Sequence, residues 1–292
     1  MCYNKGMKQF TFTVSEKFNN FRAVDFLKAQ GVSCEIILKI KYGGIFINGT
    51  VNKNVNDPVK TNDTVKFILP PDIPNQHLTP VKADLNILYE DDYMLAVVKE
   101  KGILTHKLKL NETPSLDAFV AGYFLPNPFT FRAVNRLDKD TSGILLIAKD
   151  EFTASLLGEK IKNGEIIKTY TAVVVGKPKE DNFIIEKPIK KPENSIKRYC
   201  EDGGKYAKTE CFFVKDLGNG LSVVDVVLHT GRTHQIRVHL SSVGLPLYAD
   251  SLYGTEVKNQ TYILHAKGLS FTHPFTNEKI NLTSKMDIDK AF

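Results

Sequence analysis

The sequence has no tryptophan, only four cysteines and no long apolar run. Cys2, Cys34, Cys200 and Cys211 are far apart and form no CxxC pair, which excludes the usual patterns of a zinc site or a disulfide framework. No apolar stretch approaches the roughly 18 residues that span a membrane, and the first ten residues lack the apolar segment of a secretory signal. We therefore expect a soluble, cytoplasmic protein whose 292 residues bury one large core or two smaller ones.

Arginine is also scarce, since lysine supplies most of the 39 basic residues. Four of the six arginines lie in two short segments: Arg132 and Arg136 in FRAVNRLD, and Arg232 and Arg237 in GRTHQIR. A guanidinium group is favoured over an ammonium group where a planar fork must hold a carboxylate, a phosphate or a base edge. The two segments are therefore candidates for parts of one site.

The positive charge is concentrated near the N-terminus. Residues 1–84 carry 11 basic and 7 acidic side chains, which accounts for four of the net charge of +6. This distribution is compatible with a small polyanion-binding module attached to a nearly neutral body, although a solvated lysine-rich face would look the same.

A proline-rich stretch, LPPDIPNQHLTP, divides the chain. Four prolines with little apolar periodicity indicate an extended connector, so we predict a module over residues 1–70, a linker over 71–84 and a large domain over 85–292. In the module, FRAVDFLKAQ and CEIILKIKYG have helical spacing. GIFINGTVNKNV predicts a hairpin with an Asn-Gly turn, and TVKFIL predicts a further strand.

Strands predominate after the linker. Helical patterns interrupt them at PSLDAFVAGY, at FTASLLGEKIKNG and at THQIRVHLSSVG, the last with its start at Thr233. Most strands alternate apolar and polar residues, which favours antiparallel pairing with one wetter face. The sequence therefore predicts an α+β fold: a large mixed, mostly antiparallel sheet with flanking helices and a central cleft.

The first arginine segment continues into a polar loop, DKDTSG, which leads directly into the apolar strand ILLIA. Asp138 on such a loop is held by a rigid strand while its carboxylate stays reachable, so it can act as a nucleophile or a general base. Acidic, serine and glycine residues also populate ordinary loops before strands, so the loop alone does not decide between these interpretations.

Two other interpretations of this loop are weaker. A calcium loop needs a bidentate glutamate at its twelfth position, where this chain has Lys149. An aspartyl phosphotransferase needs a strand before its aspartate, whereas here the strand follows.

The second arginine segment predicts a helix start after a Thr-Gly turn. Free backbone N–H groups beside Arg232 would suit a phosphate, and Arg237 would favour the ionised form of Asp138 if the two met. The alternative is a solvent-facing helix start with unrelated arginines. His229, His234 and His239 recur every five residues, so they do not share one helical face and we expect no metal site.

These residues resemble the RluA-type family of RNA pseudouridine synthases, whose signature R-L-D-x-x-T-S-G precedes an apolar strand. NRLDKDTSGILLIAKD matches it, and KTYTAVVVGKP, HTGRTHQIRVHLSSVGLP and LHAKGLSFTHP follow in the family's order. The resemblance covers about residues 85–275. It implies isomerisation of uridine to its carbon-linked isomer within ribosomal or transfer RNA, without cofactor or metal, by an enzyme that we expect to be a monomer.

The resemblance also implies roles for individual residues. It assigns catalysis to Asp138, Tyr170 and Arg237, the filling of the gap left by a displaced base to Arg136, and a wall of the uracil pocket to Leu264. The predicted helix start adds RNA contacts from Arg232, Thr233 and His234. Three routes stay open for Asp138: attack on the anomeric carbon, attack on the uracil ring, or removal of a sugar proton.

The N-terminal part resembles the S-four ribosomal RNA-binding module in FINGTVNKNVNDPVKTNDTVKFI, but it has only Arg22 and no arginine-rich second helix. A rival hypothesis from another class is a non-catalytic RNA-binding assembly factor. The joint presence of Asp138, Tyr170 and Arg237 argues against it, because a binding protein has no need of a carboxylate that faces a polyanion and weakens binding.

Overall fold

A computed structural model of the protein describes residues 7–71, 73, 78–107, 115–127 and 129–288. In these ranges the helices are α1 (Ala23–Ala29), α2 (Cys34–Ile40), α3 (Leu116–Tyr123), α4 (Glu151–Lys162) and α5 (Gln235–Ser242), with a short 3-10 turn at Glu16–Phe18. The strands are β1 (Gln9–Thr13), β2 (Ile45–Ile47), β3 (Thr50–Val51), β4 (Thr64–Ile68), β5 (Ile87–Glu90), β6 (Met94–Lys99), β7 (Arg132–Ala133), β8 (Ser142–Ala148), β9 (Ile167–Val175), β10 (Asn182–Glu186), β11 (Ile189–Lys190), β12 (Tyr199–Cys200), β13 (Lys208–Gly218), β14 (Leu221–Leu228), β15 (Leu264–Thr272) and β16 (Lys279–Thr283).

The N-terminal residues form a small antiparallel sheet with the order β1-β4-β2-β3, together with α1 and α2. Asn48 and Gly49 have φ values of 50° and 81°, which only a few residue types adopt readily, and this allows the predicted Asn-Gly hairpin turn. The Ser33 hydroxyl caps α2 by accepting a hydrogen bond from Ile36 N. The sequence pattern missed β1, which pairs along its whole length with β4.

The rest of the described chain is organised around one large sheet with the order β10-β13-β14-β9-β15-β8-β6-β5, with β16 beside β15 and β7 beside β8. Its pairs are antiparallel except for β15 and β8, which run parallel. This confirms the α+β fold and the mixed, mostly antiparallel sheet predicted from the sequence.

The expectation of one wetter face is wrong for the central strands. In β8, Leu145 and Ile147 join one buried cluster, whereas Ile144 and Leu146 join another on the opposite face. Both faces are covered, which is why this strand is a continuous apolar run.

An aromatic cluster connects the two sheets. Phe10 and Phe67 of the small sheet pack against Phe152 of α4 with ring centroids 4.8 and 5.2 Å away, and Phe275 lies 5.5 Å from Phe10. The Lys8 ammonium group also lies 2.9 Å from the carboxylate of Asp150. The small sheet is thus packed on α4 and on the segment between β15 and β16. Parts of the predicted linker, residues 72 and 74–77, lie outside the described residues, and the domain division stays a prediction.

The parallel pair positions the site. Ser142 and Gly143 at the start of β8 lie opposite His265 and Ala266 in β15. The loop before β8 and the start of β15 therefore lie at the same end of these two strands. Gly143 has a φ of 112°, and a Cβ there would lie 2.3 Å from the carbonyl oxygen of Ala266. Only glycine permits this approach.

Candidate active site

Asp138 lies on an extended segment whose side chains alternate between the interior and a cavity. Asn135 and Leu137 are buried, whereas Arg136 is exposed and the Asp138 side chain keeps 34% of its surface accessible. The Asn135 amide donates to Ile144 O at 3.0 Å and accepts from Leu146 N at 2.8 Å, as a backbone group would in a strand pair. The segment is therefore fixed to β8 while Asp138 faces outward.

A buried lysine holds the other side of the loop. Lys99 is only 1% exposed, and its ammonium group donates to the carbonyl oxygens of Glu100, Ile103 and Lys139 at 2.8–2.9 Å. Burial lowers the pKa of Lys99 to about 8, an effect that the charges of Asp140 and Asp138 partly oppose. Lys99 thus fastens the turn after Asp138 to the loop that follows β6.

Arg237 meets Asp138, but its hydrogen-bonded partner is another residue. The Arg237 Nη1 atom lies 3.6 Å from Asp138 Oδ2, while Nε and Nη2 donate to Asp250 at 2.7 and 2.8 Å. Asp250 is completely buried and was missed in the sequence, although it is the only acidic residue between Asp225 and Glu256. It aligns the guanidinium group so that one edge faces Asp138.

Two tyrosines complete the surroundings of Arg237. The ring centroids of Tyr262 and Tyr253 lie 4.2 and 5.0 Å from its Cζ atom, distances at which a cation and an aromatic face attract each other. The Tyr262 hydroxyl also reaches Thr141 Oγ1, at 3.3 Å, in the loop after Asp138. Neither tyrosine was predicted, because isolated aromatic residues in the sequence do not reveal which cation they contact.

His234 stands at the start of α5 with its ring between Tyr253 and Asp138. Its Nδ1 atom lies 2.9 Å from the Tyr253 hydroxyl, and its Nε2 atom lies 3.8 Å from Asp138 Oδ2. Burial lowers the pKa of His234, and the charge of Asp138 opposes this effect. The neutral imidazole is therefore favoured at neutral pH.

The predicted helix start at Thr233 is wrong by two residues. α5 begins at Gln235, because His234 adopts a left-handed conformation with φ of 59° and interrupts the helical backbone. The Gln235 side chain accepts a hydrogen bond from Arg232 N at 2.9 Å, which occupies one of the amides expected to be free. Arg232 and Thr233 are both exposed, and Arg232 Nε donates to Tyr206 O at 2.9 Å.

Tyr170 and Leu264 come from adjacent strands, since Tyr170 in β9 pairs with Ala266 in β15. Tyr170 is 6% exposed, and its hydroxyl has no hydrogen-bond partner among the described residues. Burial raises the pKa of Tyr170, and the nearby charge of Asp138 raises it further. The phenol is therefore protonated and has a hydrogen-bond donor available for a bound molecule.

The predicted residues converge on two adjoining cavities of about 330 and 300 Å³, which share Arg136, Asp138, His234 and Arg237. Tyr170, Arg232, Thr233 and Leu264 line the second. Each volume is in the usual range for a small-molecule ligand, roughly 300–1,000 Å³. Among the described residues no group of three histidine, cysteine or acidic side chains could hold a metal ion, and no helix could cross a membrane.

Comparison with known proteins identifies the family. Residues 93–242 match the family model described as RNA pseudouridylate synthase, which includes the Asp138 loop, Tyr170 and Arg237. The chain is 33% identical over 267 residues to the uncharacterized RNA pseudouridine synthase YjbO of Bacillus subtilis, covering 89% of this chain and 94% of the relative. The chain belongs to the RluA-type family of RNA pseudouridine synthases. It is therefore an isomerase that acts on uridine in RNA.

Other relatives of this synthase carry more specific names. It is 32% identical over 253 residues to the ribosomal large subunit pseudouridine synthase C of Rickettsia bellii, with 83% of this chain and 79% of that protein covered. The human RNA pseudouridylate synthase domain containing 1 superposes with a TM-score of 0.59 at 24% identity, over 74% of this chain and 86% of that one. This structural match shows the common fold.

Proposed function

We propose that the synthase isomerises specific uridines in structured ribosomal RNA, with Asp138 as the catalytic group and with the target base turned out of its helix. The observation that carries this proposal is the environment of Asp138. Its carboxylate faces a cavity, lies 3.6 Å from Arg237 Nη1, and accepts no hydrogen bond of ordinary length from the described residues. It is held in place, charge-compensated and available to a substrate.

The reaction breaks the bond between N1 of uracil and the sugar and forms one from C5 of uracil to the same carbon. The proton on C5 must leave, and N1 must end with a proton. Asp138 can start this exchange by attacking the anomeric carbon, by attacking the ring or by removing a sugar proton, and each route needs an ionised carboxylate. Tyr170 and Leu264 would confine the freed uracil until it reattaches.

Arg136 would replace the target base in the RNA helix. It is exposed, it lines both cavities, and it lies two residues from Asp138 on the same side of the extended segment. A planar cation of this kind can stack in a vacated base position, which offsets part of the few kcal/mol lost on unstacking. Arg232, Thr233 and His234 lie at the start of α5 and would contact the flanking backbone.

Ribosomal RNA is the proposed substrate class because relatives that cover most of the chain are named ribosomal large subunit pseudouridine synthase C. Transfer RNA is the competing outcome of the test. The basic N-terminal sheet would add binding energy for RNA, and we propose that the synthase acts as a monomer in the cytoplasm.

The test uses RNA transcripts labelled with tritium at C5 of uridine, because isomerisation releases that hydrogen. Ribosomal and transfer RNA transcripts are compared with the wild-type synthase and with Asp138→Asn. We expect release from ribosomal RNA by the wild type, none by the variant, and equal or slightly higher RNA affinity for the variant because a negative charge is lost. Release at the wild-type rate by Asp138→Asn would refute the assignment.

A further inference from the structure

The structure buries a second lysine near the active site, and its surroundings differ from those of Lys99. Lys99 is 1% exposed and has three carbonyl acceptors, which is what a buried ammonium group needs. Lys168 in β9 is 7% exposed, and its ammonium group has neither a hydrogen-bond acceptor nor an ion-pair partner within the described ranges. Burial lowers the pKa of Lys168, with no carboxylate to oppose it.

Lys168 is directed into the second cavity. It precedes Tyr170 by two residues in β9, so both side chains leave the same face of the strand, and both line that cavity. Its Nζ atom lies 3.6 Å from the position that a Cβ on Gly231 would take, which places the ammonium group beside the loop that leads to α5. The proposed uracil pocket therefore has on its wall a cation without an ion-pair partner among the described residues.

The charges around this cavity favour an anion. Arg136, Lys168, Arg232 and Arg237 line it, against the single carboxylate of Asp138. Arg237 is already paired with Asp250, but Arg136 and Arg232 have no carboxylate partner among the described residues. The Lys168 ammonium group is not among the fully enclosed unpaired polar atoms of the described residues and lines the cavity, so an anion that enters the cavity can reach it and supply the missing negative charge.

We propose that Lys168 binds a phosphate group of the RNA next to the nucleotide whose base enters the cavity. The proposal rests on the proposed function, which makes RNA the ligand. In the bound state the phosphate would offset the desolvation of the ammonium group, with Arg232 at the outer edge of the same loop. Lys168 would thereby set the distance between the RNA backbone and the base that lies against Tyr170.

The first experiment measures the salt dependence of RNA binding with an unmodified ribosomal RNA transcript as the probe. Each phosphate neutralised by a protein cation contributes roughly 0.7–0.9 to the slope of log affinity against log salt. Lys168→Met should make the slope less steep by about this amount, and the affinity for RNA at 0.15 M salt should fall about fivefold. Lys279→Met, which removes an exposed lysine on β16, is the matched control and should leave the slope unchanged.

An unchanged slope in Lys168→Met would overturn the proposal. This holds even if the variant loses activity, because the lysine would then contact a uracil carbonyl and not a phosphate. Lys168→Arg keeps the charge and should restore the slope. Lys168→Gln repeats the neutral substitution if the methionine variant does not fold.

The second experiment separates a binding role from a structural one by urea unfolding. Lys168→Met leaves no protein acceptor without a donor, so its unfolding midpoint should equal or exceed that of the wild type. Lys99→Met removes the ammonium donor from three backbone carbonyl groups, of which only Lys139 O keeps a second donor within the described part of the chain, Gly102 N, and the variant should unfold at lower urea. A midpoint for Lys168→Met as low as that of Lys99→Met would show that Lys168 is structural and refute the proposal.

The isomerase assignment is tested separately by tritium release from the same transcript. A reduced slope without any release by the wild type would support the phosphate site and refute the isomerase function on this RNA. Tritium release by the wild type together with an unchanged salt slope in Lys168→Met would support the isomerase function and refute the phosphate site.

Discussion

The ion pair between Arg237 and Asp250 allows a sharp test of how the site is held together. Asp250 Oδ1 accepts hydrogen bonds from Arg237 Nη2, Leu252 N and Tyr253 N, whereas Oδ2 accepts from Arg237 Nε. Asp250→Asn keeps an oxygen for the two backbone amides but places an NH₂ group opposite Arg237 Nε, where two donors then face each other. The substitution therefore removes the ion pair while retaining the backbone contacts.

The expected loss is large because both partners are buried. Asp250 is fully buried and the Arg237 side chain is 8% exposed, so Asp250→Asn leaves a guanidinium group that has little contact with water. Removing one partner of a buried pair costs about 3–5 kcal/mol of unfolding free energy. Globular proteins have about 5–15 kcal/mol in total, so the variant should still fold and its unfolding can be measured.

Urea unfolding of Asp250→Asn, Arg237→Met and the double variant forms a thermodynamic cycle. The double variant leaves no buried charge of this pair without its partner, and Asp138 keeps 34% of its side chain exposed to water, so the double variant should be more stable than the sum of the single losses predicts, with a coupling of roughly 1–3 kcal/mol. Glu201→Gln removes an exposed pair with Lys190 and should cost less than about 1 kcal/mol. Additive losses within about 0.5 kcal/mol would refute the argument that the two residues stabilise each other.

Three further predictions concern the loop and the cavity. Arg136→Ala should slow tritium release from structured RNA more than from an unstructured oligonucleotide, and equal losses on both would count against base displacement. Tyr170→Phe should reduce release about tenfold, by the same factor from pH 6 to 9, because burial keeps the phenol protonated in that range; a loss that varies with pH would contradict this. The pKa of Lys99 is lowered in the folded state, to about 8 from 10.5, so from about pH 8 upward the unfolded chain binds more protons than the folded one. The unfolding free energy of the wild type should therefore rise with pH relative to that of Lys99→Met. If the difference between the two unfolding free energies is flat or falls over pH 7.5–9.5, Lys99 keeps its ordinary affinity for a proton.

Local patterns predicted most of the secondary structure, because they depend on interactions within a few residues. The hairpin at Asn48 and Gly49 follows from backbone conformations that these two residue types tolerate. α4 begins directly after Asp150, whose side chain caps the helix by accepting a hydrogen bond from Thr153 N at 2.7 Å. The predicted start of α5 was two residues too early, because a threonine is a common helix start. In the structure the contact of His234 with Tyr253 holds the His234 backbone in a left-handed conformation, and the helix begins after it.

The sequence by itself determined the family, through four ordered motifs, and with it the residues that we propose to face the substrate. It also placed Asp138 on the loop before an apolar strand, because a polar loop followed by an apolar run can be recognised locally. Only the tertiary structure decided which charges are compensated. Arg237 could be named from its motif, but its pairing with Asp250 depends on a chain reversal between α5 and the following loop. The sequence did not predict that Lys99 has three hydrogen-bond acceptors whereas Lys168 has none among the described residues. Burial and hydrogen bonding of these lysines are properties of the folded chain.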